Sequence, residues 1–299
     1  MSDYGRRVEF GLSLVPNAAD IEESRVLARR ADALGLDLIG IQDHPYQRRY
    51  VETWALLADL LARTERIRAF TDVANLPLRL PALIAKQAAS LDVLSGGRFE
   101  LGLGAGAFWE AIGAMGGPVR SGREALEALE EAVQIIRLSW SGERAIRFEG
   151  VHYAVAGLHP GPPPAHGIGI WLGVYKPRAL ALTGRLADGW VPSLRYAPPE
   201  AVPELQRRID DGAAQAGRDP TEIRRVYNVG SVVSAEELTG FVLELGFDTL
   251  VFWPEGDDLL RQTERFAEEV APAVRDAVAS ARGRQQAAGG AGRERASAP

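Results

Sequence analysis

The sequence predicts a (β/α)8 barrel with an insertion between the fourth helix and the fifth strand. Three observations point there. Short apolar runs alternate with amphipathic helical stretches from residue 8 to about residue 281 without a break. The runs are apolar on both faces, which suits parallel strands covered by helices. Eight strand–helix units in about 280 residues match a closed barrel better than a doubly wound sheet.

Taken in order, residues 8–15 form the first strand, stopped by Pro16 and Asn17. Residues 20–34 place Ile21, Val26, Leu27, Ala31 and Leu34 on one helical face, and Gly35 ends the helix. Residues 36–41 are the second strand, 53–64 the second helix and 67–73 the third strand. Residues 81–94 are a helix opened by Pro81, a position proline tolerates, and closed by Ser95-Gly96-Gly97. Residues 98–103 are the fourth strand and 122–140 the fourth helix, apolar at Leu126, Leu129, Val133 and Ile136. Residues 145–148 and 151–155 read as a hairpin inside an insertion spanning about residues 141–167, which ends in a proline-rich loop. The remaining strands are residues 168–174, 189–192, 225–232 and 249–253. Their helices are residues 177–187, 199–216, 235–245 and 257 to about 281. Residues 282–299 are rich in Gly, Ala, Arg and Gln and read as a disordered tail.

Composition narrows the function classes. The 299 residues are 46% hydrophobic and 25% charged, ordinary for a folded domain with a full core. The net charge is −6 and no basic cluster stands in the folded part, so nucleic acid is not an expected partner. No apolar run reaches membrane-spanning length, and the first strand starts too early to leave room for a signal peptide, so the expected location is the cytoplasm. Cysteine is absent, which removes disulfide and thiol chemistry. Apart from His44, the histidines are His152, His159 and His166, all in the insertion without carboxylates at ligand spacing, so no metal site is expected.

Barrel enzymes carry their chemistry at the carboxyl ends of the strands. There the sequence places Asp43 and His44 after strand two, an acid–base element because imidazole titrates near neutrality. Asp72, Val73, Ala74 and Asn75 follow strand three. Gly104, Ala105 and Gly106 follow strand four as bare backbone that a ligand can approach, and Phe108 and Trp109 stand in the loop beyond. Gly102, Gly104 and Ala107 match a dinucleotide-binding glycine pattern, but a loop with Gly113, Gly116, Gly117 and Pro118 follows instead of the helix that pattern needs. Gly173, Val174, Tyr175, Lys176, Pro177 and Arg178 form the best anion site: a strand ends, a helix begins, and two cations flank its free N–H groups. Trp109, Trp190 and Trp253 are candidates to wall a flat ring, with Ser193 and Asn228 at neighbouring strand ends. Such a site suits a phosphorylated, planar ligand, and any redox power must come from a bound cofactor. A sugar-phosphate lyase or isomerase is disfavoured, because no second strand-end lysine or paired carboxylates accompany it.

The segments Ile41-Gln42-Asp43-His44-Pro45, Asn75-Leu76-Pro77-Leu78-Arg79, Leu186-Ala187-Asp188-Gly189-Trp190 and the glycine-rich stretch over residues 94–106 together resemble the bacterial luciferase-like flavin- or deazaflavin-dependent oxidoreductases. The resemblance covers residues 8 to about 254. It implies a small-molecule oxidoreductase, often a homodimer, binding FMN or coenzyme F420 at the strand ends. It also implies a cofactor phosphate at the segment from Gly173 to Arg178, a cis peptide at Asp72–Val73 behind the cofactor ring, and His44 as the proton-handling residue. Asp72 stands where the family usually has a small residue, and Tyr175-Lys176 is bulkier than the usual phosphate turn. The Asp-His-Pro form of the second-strand motif looks more like the F420-using members, so hydride transfer with F420 is the preferred expectation. An FMN-dependent monooxygenase consuming O2 is the alternative, and a barrel that binds the cofactor without turnover is the reading of another class.

Overall fold

Parallel strands that are apolar on both sides must be covered outside and filled inside, and this chain does both with side chains read off its period of two. The computed structural model describes residues 3–231 and 234–296. Its strands are β1 Glu9–Leu14, β2 Leu38–Ile41, β3 Arg68–Thr71, β4 Ala74–Asn75, β5 Phe99–Gly104, β6 Ile146–Glu149, β7 Ala154–Leu158, β8 Ile170–Leu172, β9 Gly189–Trp190, β10 Arg224–Gly230 and β11 Thr249–Phe252. Its helices are α1 Ile21–Ala33, α2 Thr53–Leu61, α3 Pro81–Ser95, α4 Trp109–Ala114, α5 Gly122–Trp140, α6 Pro177–Leu186, α7 Val202–Gln215, α8 Ala235–Leu243, α9 Leu259–Arg265 and α10 Ala271–Ala296. The sheet runs β3-β2-β1-β11-β10-β9-β8-β5-β4, and pairing of β3 with β5 closes the ring. Because β4 continues the edge of β3 after a break, this is the eight-stranded parallel barrel that the alternating pattern predicts. β6 and β7 form a separate antiparallel hairpin between α5 and β8.

The barrel interior is layered. At the amino ends of the strands lies an ionic layer: Arg68 bonds Glu9 and reaches Glu100 at 3.1 Å, while Arg224 reaches Glu9 at 2.5 Å and the Thr249 hydroxyl at 2.8 Å. Above it is an apolar layer of Leu38, Phe70, Trp171, Val191, Val226 and Val251, with Val73 packed against it. Glycines make this layer possible. A Cβ on Gly189 would come within 2.6 Å of the Trp171 ring, and one on Gly40 within 2.8 Å of Phe70. A second, larger core fills the space between strands and helices, and its anchors include Phe10, Leu57, Leu129, Ile136 and Leu250.

Two local devices position the upper rim. Ser121 and Glu124 form a reciprocal capping box that starts α5, with Glu124 N–H donating to Ser121 at 3.3 Å and Ser121 N–H to Glu124 at 2.7 Å. α6 and α7 touch backbone to backbone: a Cβ on Gly184 would lie 2.0 Å from the Ile209 carbonyl oxygen, so neither helix can move outward without losing the contact.

The structure revises several boundaries. The loop expected after Phe108 begins instead with the short helix α4. The second hairpin strand starts at Ala154, three residues later than the pattern places it. The final helix is divided by one wide turn over Phe266–Val270. The seventh-strand expectation ends at Val232, which lies outside the described residues. Nor is the stretch from Arg282 wholly a tail, since α10 stays helical through Ala296. Alanine favours helix there, and the Arg282 guanidinium clamps Asp3 at 2.7 Å and the Arg6 carbonyl at 2.8 Å. Residues 297–299 lie outside the described residues.

Removing one member of the ionic layer leaves a buried carboxylate short of a partner, which costs more than the pair itself is worth. Arg68→Ala is expected to lower unfolding free energy by about 3 kcal/mol in urea titrations at neutral pH. A change below about 0.5 kcal/mol would mean that the layer is solvated.

Candidate active site

A cavity of about 700 Å³ opens at the carboxyl ends of the strands. It is enclosed by the turn after β2, by β4, by the end of β5 with α4, by the start of α5 and by the turn from β8 into α6. His44 and Gly173, far apart in sequence, line this one space. Asp43, Val73, Ala74, Asn75, Gly104, Ala105, Gly106, Phe108, Trp109, Val174, Tyr175, Lys176, Pro177 and Arg178 also face it.

Asp43 is fully buried and its carboxylate is spoken for. It accepts the Asn75 N–H at 2.9 Å and two bonds from Arg79, at 2.5 and 3.2 Å, while Arg79 also reaches Glu52. The expected Asp43–His44 element is therefore not a hydrogen-bonded dyad. His44 bonds Tyr46 instead, Nδ1 to the phenol oxygen at 2.6 Å. Burial holds the imidazole below its ordinary value, with Asp43 exerting a smaller upward pull. Burial likewise pushes the Tyr46 phenol up to about 12. Phe108 closes against the His44 ring edge to face, with centroids 5.4 Å apart.

The Asp72–Val73 peptide is cis. Val73 then projects across the barrel top. A Cβ on Gly104 would lie 2.7 Å from its methyl group and one on Gly173 2.9 Å. Gly104, expected as bare backbone for a ligand, and Gly173, expected to open the anion site, are both required first by this valine. Gly106, at φ 102°, is likewise occupied from within, because a Cβ there would meet Pro77 at 2.7 Å and Trp109 at 2.8 Å.

Asp72, Ser193 and Asn228 do not line the cavity. They form a polar cluster of their own, in which Asn228 Nδ2 donates to Asp72 at 3.1 Å and lies 3.5 Å from the Ser193 hydroxyl. Desolvation pushes the Asp72 carboxyl up to about 6, and the Asn228 bond offsets only part of that. Trp190 is also corrected: it is buried in the outer core, stacked on Phe247 and bonded through its indole N–H to the Val174 carbonyl at 2.8 Å. Trp253 does not line the cavity either. Strand-end position alone does not say which way a side chain turns, and the Trp190 indole turns away.

The structure adds residues that strand ends could not show. Tyr46 lines the cavity, and so do Gly122, Arg123, Leu126 and Leu129 from the first turns of α5. The Ser121…Glu124 pattern marks a helix start in the sequence, but only closure of the barrel aims that start at the pocket. α6 begins at Pro177 with no side chain capping its N–H groups, and Lys176 and Arg178 flank it. Together with Arg123 they give the cavity three cations against the one carboxylate, Asp43, already neutralised by Arg79. Among the described residues no cluster of His, Asp and Glu has metal-binding geometry.

A closed parallel barrel whose large strand-end pocket combines a histidine with an uncapped helix start and flanking cations has the layout of a barrel enzyme site. More narrowly, a family model described as luciferase-like monooxygenase matches residues 8–291, and the chain belongs to that family. Over 205 residues it is 30% identical to an F420-dependent glucose-6-phosphate dehydrogenase of Microbacterium testaceum, covering 67% of this chain and 60% of that protein. It is also 30% identical over 210 residues to the enzyme of the same name from Intrasporangium calvum, covering 67% and 62%. The chain thus spans about three fifths of the length of these curated relatives. Among solved structures, an F420-dependent secondary alcohol dehydrogenase in complex with an F420–acetone adduct superposes with a TM-score of 0.81 at 18% identity, covering 90% of this chain and 99% of that one. That likeness is one of fold.

A carboxyl whose folded value is raised costs stability as pH climbs from the unfolded value to the folded one, because the unfolded chain ionises first. Asp72→Asn is therefore expected to raise the melting temperature near pH 8, with the gain vanishing near pH 4. An equal effect at both pH values in thermal melts would remove the desolvation account.

Proposed function

We propose that this chain is an F420-dependent oxidoreductase, passing hydride between the deazaflavin and a small organic molecule in the strand-end cavity. The observation that carries this reading is the convergence of Lys176, Arg178, Arg123 and the uncapped start of α6 on the same space as His44. An anionic tail is held by N–H groups and cations in that arrangement, and a cavity of about 700 Å³ has room for a ring system beside a substrate. The residues present fit the cofactor. When bound, F420 supplies the hydride chemistry that no side chain here provides.

In this reading Gly173, Val174, Tyr175, Lys176, Pro177 and Arg178 hold the phosphate. Val73, Ala74 and Asn75 back the ring, with Gly104, Ala105 and Gly106 beside it. Phe108 and Trp109 cover the substrate, and His44 moves the proton. Asp43 serves by position, since its oxygens are committed to Arg79 and Asn75. The F420 dependence named for the relatives supports this choice over FMN. A homodimer in the cytoplasm completes the proposal. Leu80, Leu83, Val93 and Leu94 stand exposed on α3 and its lead-in, an apolar face suited to a second copy, and the cysteine-free chain has no use for an oxidising compartment.

The test is titration of the purified protein with F420 and with FMN, followed by absorbance and fluorescence. Saturable binding of F420 in preference to FMN is expected. Lys176→Ala with Arg178→Ala should weaken it by roughly 10- to 100-fold, and most at low salt. Binding of neither cofactor sinks the redox reading, and an unchanged affinity in the double variant sinks the phosphate assignment.

A further inference from the structure

His44 and Tyr46 sit two residues apart in the turn between β2 and α2, held by the buried Asp43 anchor on one side and by Phe108 on the other. Their 2.6 Å contact joins Nδ1 of one to the phenol oxygen of the other, and one proton lies between them. Two assignments satisfy that geometry. In the first, the phenol donates to an unprotonated Nδ1, so the neutral ring carries its hydrogen on Nε2. In the second, Nδ1–H donates to the phenol oxygen and Nε2 is left as a bare lone pair. A phenol is a far better donor than a neutral imidazole N–H, and an imidazole nitrogen is a far better acceptor than a phenol oxygen. The first arrangement wins.

We infer that Tyr46 is a positioning residue which locks His44 as the Nε2–H tautomer and so presents a proton donor, not a base, to the cavity. The surroundings agree. Burial keeps the ring neutral. The adjacent Asp43 carboxylate, which would otherwise favour imidazolium, is paired with Arg79, itself shared with Glu52. The other charged groups lining the cavity are Arg123, which is paired with Glu127, and Lys176 and Arg178, whose charges oppose a further positive one. Phe108 brings no titratable group.

The consequence for the chemistry rests on the proposed function. With a donor at Nε2, the poised direction is reduction of a carbon–oxygen or carbon–nitrogen double bond. Bound F420 would supply the hydride to the carbon, and the electron pair of the π bond would then move to the heteroatom. That heteroatom takes the Nε2 proton of His44, while the Tyr46 O–H proton passes to Nδ1. The partly buried phenolate then recovers a proton from water at the cavity. The product is an alcohol or amine, and the cofactor is left oxidised.

The tautomer can be read without substrate or cofactor. Protein labelled with 15N at histidine and studied by long-range 1H–15N correlation gives a separate pattern for each tautomer, and comparison with His44→Gln identifies the signal among the four histidines. Wild type is expected to show an unprotonated Nδ1 and a protonated Nε2. Tyr46→Phe should give a mixed-tautomer pattern, with the His44 pKa raised by about one unit, because the bond that favours the neutral ring is gone. Phe108→Ala, which loosens packing but keeps the hydroxyl, should retain the wild-type tautomer. A protonated Nδ1 in wild type overturns the inference even if Tyr46→Phe fails to fold, and so does an unchanged Tyr46→Phe spectrum. Failure of F420 to bind would remove the proposed function and leave the tautomer result standing.

Discussion

The buried contact between Asp43 and Arg79 is the constraint from which the upper barrel follows. A carboxylate with no solvent exposure is tolerable only when its oxygens are filled, and here one guanidinium and one backbone N–H fill them. That requirement ties the end of β2 to β4 and to the turn that carries Arg79. It also fixes the backbone on either side, so that His44 meets Tyr46 and Phe108 in the cavity while the Asp43 carboxylate at its wall is held by Arg79. Arg79 opposes the pull of that carboxylate on the imidazole, and burial outweighs what remains.

A second constraint is steric. Val73 leaves the sheet after the cis peptide and lies across the barrel top, where Gly104 and Gly173 yield space to it. Three strands are thereby fitted to one side chain. The floor of the cavity is a packed contact rather than a gap, and its shape depends on the absence of a methyl group at two positions.

The architecture was legible because its signal is repetitive. Eight apolar runs with helical stretches between them leave few alternatives, and the closed sheet with β3 against β5 bears that reading out. Which strand-end residues share a pocket was legible in part. Segments 73–75, 104–106 and 173–178 converge because barrel geometry gathers all strand ends at one rim. Orientation was not legible. Trp190 alternates outward and pairs with Phe247, some 57 positions further along the chain, and no local pattern announces that partner. Asp43 and His44 are neighbours in sequence yet belong to different networks, because the partners that separate them, Arg79 and Tyr46, come from different distances along the chain. The start of α5 was visible as a capping pattern, whereas its role as a wall required knowing which helix stands beside which strand.

The layered filling of the barrel has a kinetic meaning. Phe70, Trp171 and their neighbours plug the axis, and Glu9, Arg68, Glu100 and Arg224 seal it below, so the barrel axis is filled among the described residues. Whatever enters must leave by the doorway it came through. A pocket closed from below exchanges its contents with solvent on the rim side alone, so the loops of that rim govern the traffic.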